Sequence, residues 1–180
     1  MNVPAGPETL YKGNSIPSIL FVCTANQFRS PIAAAYFSHK LSEEGMPGTW
    51  VVDSAGTWTP PGLEAHPQAV ASASKLGLDL KLFRTREVDA ALLSAADLIV
   101  VMEFGHKEAI EAEFPAVRDR VVLLGSLANL PGDEIPDPAW NNFDQPKAAA
   151  RMVCACIDKG FAELVNLGEY HSKNHRASKP

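Results

Sequence analysis

Cys23 and Arg29 bracket a five-residue segment, Thr24-Ala25-Asn26-Gln27-Phe28, and Ser30-Pro31 follow directly. A cysteine attacks electrophilic centres as its thiolate, and a guanidinium is a planar fork that grips two oxygens of one anion, which a lysine does not match. Ser suits a helix N-cap and Pro the first helical position, so the spacing predicts a tight loop ending where a helix N-terminus points back at Cys23. Such a loop gathers unpaired backbone N–H groups and the positive end of the helix dipole, which bind a tetrahedral anion and favour the thiolate. Asn26, mid-loop, is the residue type that after Gly best tolerates a left-handed turn.

Something must carry that loop. Residues 19–22, immediately before it, form a continuous apolar run, and residues 50–53, 98–102 and 121–124 are further strand candidates. Longer helical segments separate them: residues 30–44 closed by Gly45, 67–76 closed by Gly77, 105–114 ahead of Pro115, and 147–167 closed by Gly168, with a shorter one at 89–95. In the last of these, Cys154, Ile157, Phe161 and Leu164 fall on one helical face. Apolar strands alternating with amphipathic crossovers predict an α/β fold, a doubly wound three-layer sandwich around a parallel sheet. Ligands of such sheets sit past the carboxyl ends of the strands, where Cys23 lies.

The chain has 180 residues, enough for one domain with a full core, and 46% of them are hydrophobic. The apolar runs, residues 19–23 and 98–102 among them, fall far short of the ~18 residues that read as a membrane span. With 16 Lys and Arg against 21 Asp and Glu the net charge is −5, so no broad basic field exists to hold nucleic acid. Neither nucleic acid nor membrane is an expected partner. The Pro-rich residues 1–17 read as a flexible arm without the regions of a secretory signal, and the polar residues 169–180 as a loose tail. A cytoplasmic protein with reduced thiols is expected, since three cysteines in a chain of this size are no disulfide framework. Cys154 and Cys156 should point to different helix faces, one to the core and one to the surface, and the five histidines show no ligand spacing, so no metal and no cofactor is expected.

Residues 21–35 resemble the signature of the low-molecular-weight protein tyrosine phosphatases. The likeness extends to Asp53-Ser54-Ala55-Gly56-Thr57, similar to that family's second strand and following loop, to residues 97–103, and to Ile135-Pro136-Asp137-Pro138, similar to its general-acid loop. It implies a phosphatase domain over residues 18–168, a four-stranded parallel sheet in the order 2-1-3-4, and hydrolysis of phosphotyrosine through a phosphocysteine. Cys23 would be the nucleophile, Arg29 and the backbone N–H groups of Thr24, Ala25, Asn26, Gln27, Phe28 and Arg29 the phosphate cradle, and Asp137 the general acid and then base. Ser30 would both cap the helix and donate to the Cys23 sulfur, Ser54 would hold Asn26, and Trp58 and Trp140 would wall the cleft. His66 and Glu103 fall near the implied site and read as structural. The implied partners are phosphotyrosine-bearing proteins, a tyrosine kinase being one candidate, with inorganic phosphate as product or inhibitor.

The sequence departs from the family pattern at Phe28, where many members carry a second Cys, at Ala25 for a common Gly, and at Ala139 for an aromatic after Asp-Pro. Gln27 is neither the Ile usual in the tyrosine phosphatases nor the Thr of relatives resembling arginine phosphatases, which leaves a phosphoarginine phosphatase as an alternative. An arsenate reductase of the same fold needs two further cysteines around residues 93–102, where there are none. A non-catalytic phosphoprotein-binding module would have no use for both Cys23 and Asp137.

Overall fold

The computed structural model describes residues 16–138 and 144–177; residues 1–15 of the expected arm, and Trp140, lie outside the described residues. Strand β1 (Ser18–Cys23) is buried along its whole length because it is flanked on both edges. It pairs in parallel with β2 (Val51–Gly56) and with β3 (Leu98–Val101), and β4 (Val121–Leu123) extends the sheet beyond β3, giving the order β2-β1-β3-β4. Leu20 lies opposite Asp53 on one side and Ile99 on the other.

Successive strand side chains alternate between faces, so each strand feeds two cores. Ile19, Phe21, Cys23, Leu98, Val100 and Met102 pack under α1 (Arg29–Glu43), α2 (Pro67–Lys75) and α6 (Asp144–Ala177) through Ile32, Phe37, Ala69, Ala73, Val153 and Ile157. Leu20, Val22, Ile99 and Val101 turn the other way, onto Leu93 of α3 (Ala90–Ala95) and Ile110 of α4 (Phe104–Glu113). Burying each such side chain contributes about 1.5–3 kcal/mol, so either face alone would leave the sheet half uncovered. At the end of the sheet away from Cys23, Ser18 and Asp97 exchange four hydrogen bonds of 2.9–3.1 Å that tie the start of β1 to the start of β3.

Three local expectations are corrected. Gly168 does not close the last helix, which runs on through Ala177 and takes in much of the expected loose tail. A Cβ at Gly168 would overlap the Trp50 ring, itself packed edge-on to Phe37 at 5.7 Å, so this glycine permits a close approach instead of marking a stop. Cys154 and Cys156 are both buried, because α6 packs against α1, α2 and α5 (Leu124–Leu127) and its covered arc is wide. Burial pushes both thiols up, Cys154 to about 12, which makes them poor nucleophiles. Finally, α1 begins at Arg29 with Phe28 as its N-cap and no capping side chain, so Ser30 and Pro31 lie inside the first turn. Pro is harmless there, since a first-turn N–H has no intrahelical acceptor.

After β4 the chain turns through α5 and folds back so tightly that the Asp133 backbone occupies the space a Cβ on Gly125 would need. Leu130 N–H donates to the Gly125 carbonyl at 2.9 Å and closes the turn. This return delivers Ile135-Pro136-Asp137 to the carboxyl edge of the sheet. Gly125→Ala should therefore destabilise the fold by about 1–3 kcal/mol through overpacking, read as a lower urea midpoint with an unchanged m-value, whereas an unchanged midpoint would show that the turn can open.

Candidate active site

Cys23 ends β1, and the next five residues turn into α1 within a loop whose carbonyls are drawn outward. The Cys23 carbonyl accepts from Thr57 N–H (2.9 Å), that of Thr24 from Trp58 N–H (3.0 Å), and that of Gln27 from His66 N–H (2.9 Å). Among the described residues the amides of Thr24, Ala25, Asn26, Gln27 and Arg29 have no protein acceptor, as in an anion-binding nest at a helix N-terminus. Gly56 lets the loop lie against β2, for a Cβ there would stand 2.6 Å from the Thr24 carbonyl oxygen.

Asn26 is the pivot. Its φ of 52° is the left-handed conformation expected from its residue type, and it is fully buried. Its Nδ2 donates to Ser30 Oγ and to Ser54 Oγ, both at 2.9 Å, and its Oδ1 accepts from Arg86 N–H at 2.9 Å. Both N–H groups and the oxygen of this buried side-chain amide are thereby satisfied. The Ser30 hydroxyl, freed from capping, lies 3.0 Å from Cys23 Sγ and 3.3 Å from the Ala55 carbonyl.

Arg29 is 1% exposed. Its Nη1 donates to Glu103 Oε2 at 2.5 Å and to the Ile135 carbonyl at 2.7 Å, while Nη2 lies 3.1 Å from Asp137 Oδ1. Nε and Nη2, the parallel pair along one edge of the fork, have no hydrogen-bond partner among the described residues. One terminal nitrogen thus fixes the plane of the guanidinium and the opposite edge remains for two anion oxygens.

Glu103, expected near the site as a structural residue, and His106, which the sequence reading did not single out, lie between the end of β3 and the first turn of α4. The Glu103 carboxylate accepts from the His106 backbone N–H, and His106 Nδ1 accepts from Glu103 N–H at 3.2 Å. Because Nδ1 accepts, the ring proton is on Nε2, which donates to Thr24 Oγ1 at 2.9 Å. Burial first, and the Arg29 cation second, push this imidazole below the usual histidine range, against the pull of Glu103, Asp137 and Glu134. The spacing Glu-x-x-His after an apolar strand was the available signal.

The remaining candidates separate. His66 caps α2, its Nδ1 accepting from Gln68 N–H at 3.2 Å. Gln27 donates from Nε2 to the Glu64 carbonyl at 3.1 Å. Trp58 touches the loop through its backbone while its side chain is 81% exposed. No group of three or more potential metal ligands occurs among the described residues.

Since the folded protein holds His106 less basic than the unfolded chain does, unfolding takes up a proton at pH values below about 6.5. Stability should be flat with respect to this group above that value and fall as pH drops through the window between the unfolded and the lowered folded value. Urea midpoints from about pH 5 to 8 should show this slope in the wild-type protein and a shallower one in His106→Gln; identical slopes would remove His106 as its source.

Residues 18–175 match the family model for low molecular weight phosphotyrosine protein phosphatases. Over 153 residues the chain is 32% identical to the probable low molecular weight protein-tyrosine-phosphatase EpsP of Ralstonia nicotianae, covering 85% of this chain and 99% of that protein. It is also 32% identical over 126 residues to a protein-arginine-phosphatase of Bacillus subtilis, covering 70% and 82%. The crystal structure of the tyrosine phosphatase Wzb from Escherichia coli K30 in complex with sulphate superposes with a TM-score of 0.74 at 30% identity, over 83% of this chain and 99% of that one. Matching in sequence across the whole sheet and its anion loop, and in fold with a sulphate-binding relative, this chain belongs to the low molecular weight phosphotyrosine protein phosphatase family.

Proposed function

We propose that this chain hydrolyses phosphotyrosine on proteins through a phosphocysteine intermediate, with Cys23, Arg29 and Asp137 as its catalytic residues. The observation that carries the reading is the convergence on one pocket of the Cys23 sulfur, the Nε/Nη2 edge of Arg29, whose one close partner is the Asp137 carboxylate at 3.1 Å, and that carboxyl itself. A phosphate dianion on the loop amides and the Arg29 fork presents its phosphorus in line with Sγ. The sulfur–phosphorus bond forms as the phosphorus–oxygen bond to the phenol breaks, and the departing oxygen takes its proton from Asp137. Water then attacks the phosphocysteine, Asp137 accepts the water proton, and the sulfur leaves as a thiolate that the Ser30 hydroxyl stabilises as donor. Arg29 and the amides spread charge away from the equatorial oxygens at both steps, so the rate should survive a chelator.

The cytoplasm is the proposed setting, because a nucleophilic thiol is kept reduced there. Phosphotyrosine proteins, a tyrosine kinase among them, are the proposed partners, and inorganic phosphate the product and competing anion. One feature favours a second substrate: with its Nε2 held by Glu64, Gln27 has an Oε1 that no described donor occupies and that suits a guanidinium N–H of phosphoarginine. The arginine phosphatase relative gives that reading weight.

Turnover of phosphotyrosine and phosphoarginine peptides side by side decides between them. Cys23→Ser should abolish turnover and keep phosphate binding; a substantial residual rate would place the nucleophile elsewhere. Asp137→Asn should slow phosphotyrosine by ~10²–10⁴ and aryl phosphates of acidic phenols far less, since a good leaving group departs unprotonated. Equal losses in kcat/KM across a graded phenol series would make Asp137 a turn residue.

A further inference from the structure

The structure assigns a second recognition surface to the groove between α2 and α6, which we infer takes an acidic stretch of the same protein that bears the phosphotyrosine; this rests on the phosphatase reading. A cavity of about 370 Å³ lies between the two helices, with Leu76 and Ala150 in its lining and Lys75 and Arg151 at its sides. A second cavity of about 210 Å³ shares Ser72, Lys75 and Lys147 with it and continues to Gln68 and Pro146. The two form one trough.

Its upper end opens beside the anion loop. His66, which caps α2, donates its backbone N–H to the Gln27 carbonyl, and Gln68 lies two residues further on. α6 begins seven residues after Asp137 and brings Pro146 and Lys147 to the opposite wall. A phosphopeptide with its phosphate on Arg29 therefore has the trough as a path for its flank.

The chemistry of the lining selects the flank. In a chain of net charge −5, this trough carries Lys75, Lys147 and Arg151 against one carboxylate, Asp158. Asp158 is already engaged, accepting from Tyr36 Oη at 3.0 Å and standing 3.6 Å from Lys40 Nζ. Neither Lys75 nor Arg151 has an ion-pair partner among the described residues. Gln68 Oε1 is buried without a hydrogen-bond donor, which the backbone N–H of an extended peptide would supply. Acceptor near the mouth, cations below it and an apolar floor fit an extended segment with glutamate or aspartate side chains. Gln68 and Lys75 are about 10 Å apart along α2 at ~1.5 Å per residue, which an extended peptide covers in about three residues at ~3.3 Å each. The acidic positions thus lie up to about three residues beyond the one that meets Gln68, all on one side of the phosphotyrosine.

The test compares three phosphotyrosine peptides that differ only at those positions, with Glu, Gln or Lys, placed on either side, and para-nitrophenyl phosphate as a substrate without a flank. For the wild-type protein kcat/KM should be about tenfold higher for the Glu peptide than for the Gln peptide, through KM and decreasingly at high salt. The double variant Lys75→Glu/Arg151→Glu should lose that preference, favour the Lys peptide and turn over para-nitrophenyl phosphate at the wild-type rate. Equal kcat/KM for the three peptides, or a Glu preference that survives the double variant, would overturn the proposal. If para-nitrophenyl phosphate is not hydrolysed at all, the phosphatase reading has failed, and calorimetric binding of the same peptides to Cys23→Ser still decides the groove by presence or absence of the Glu preference. A concentration-dependent dimer in sedimentation that the double variant dissolves would assign the trough to a second copy of the chain and overturn the acidic flank.

Discussion

Burying a guanidinium costs several kcal/mol unless its charge and its donors are met, and the neighbourhood of Arg29 is arranged around that demand. Glu103 neutralises it from the end of β3, the Ile135 carbonyl takes a second bond from the same nitrogen, and Asp137 stands at the far side. Burial, with the same cation second, pushes His106 toward the neutral form, in which its Nε2 donates to Thr24. These groups come from two distant parts of the chain, the β3–α4 junction and the segment 135–137. The sheet has to bring the ends of β1 and β3 side by side for the set to exist, and the parallel pairing of Val22 with Val101 does so.

Asn26 does for the loop backbone what Arg29 does for charge. A left-handed residue that is not glycine needs local hydrogen bonds to hold it, and Asn26 makes them to α1, to β2 and to the segment entering α3 through Ser30, Ser54 and Arg86. The conformation that turns the amides inward is thus braced from three directions. Ser30 is the point where the two systems meet, since its hydroxyl lies within reach of both Asn26 and the Cys23 sulfur.

The strands were legible because their apolar runs are buried on both faces, and the placement of Cys23 followed from where such sheets keep their ligands. Asn26 was legible from residue type alone. What escaped were effects that depend on a distant neighbour. The contact of Ser30 with Cys23 was expected from the family resemblance, but its capping role was expected too and is lost to the bond from Asn26, and Gly168 looks like a stop until Trp50 arrives over it. Cys156 looks exposed by helical spacing until α6 is seen to be covered from several sides. His106 carried a capping signature, but its ring reaches Thr24 only because β1 and β3 are neighbours.

Ile135 has both backbone groups committed, its N–H to the Met102 carbonyl at 2.9 Å and its carbonyl to Arg29 at 2.7 Å, two residues before Asp137. Withdrawing the carboxyl by swinging this segment outward would strip the guanidinium of an acceptor that sets its plane. The Asp137 segment and the Arg29 guanidinium are consequently coupled through Ile135, so that displacing the one loosens the other.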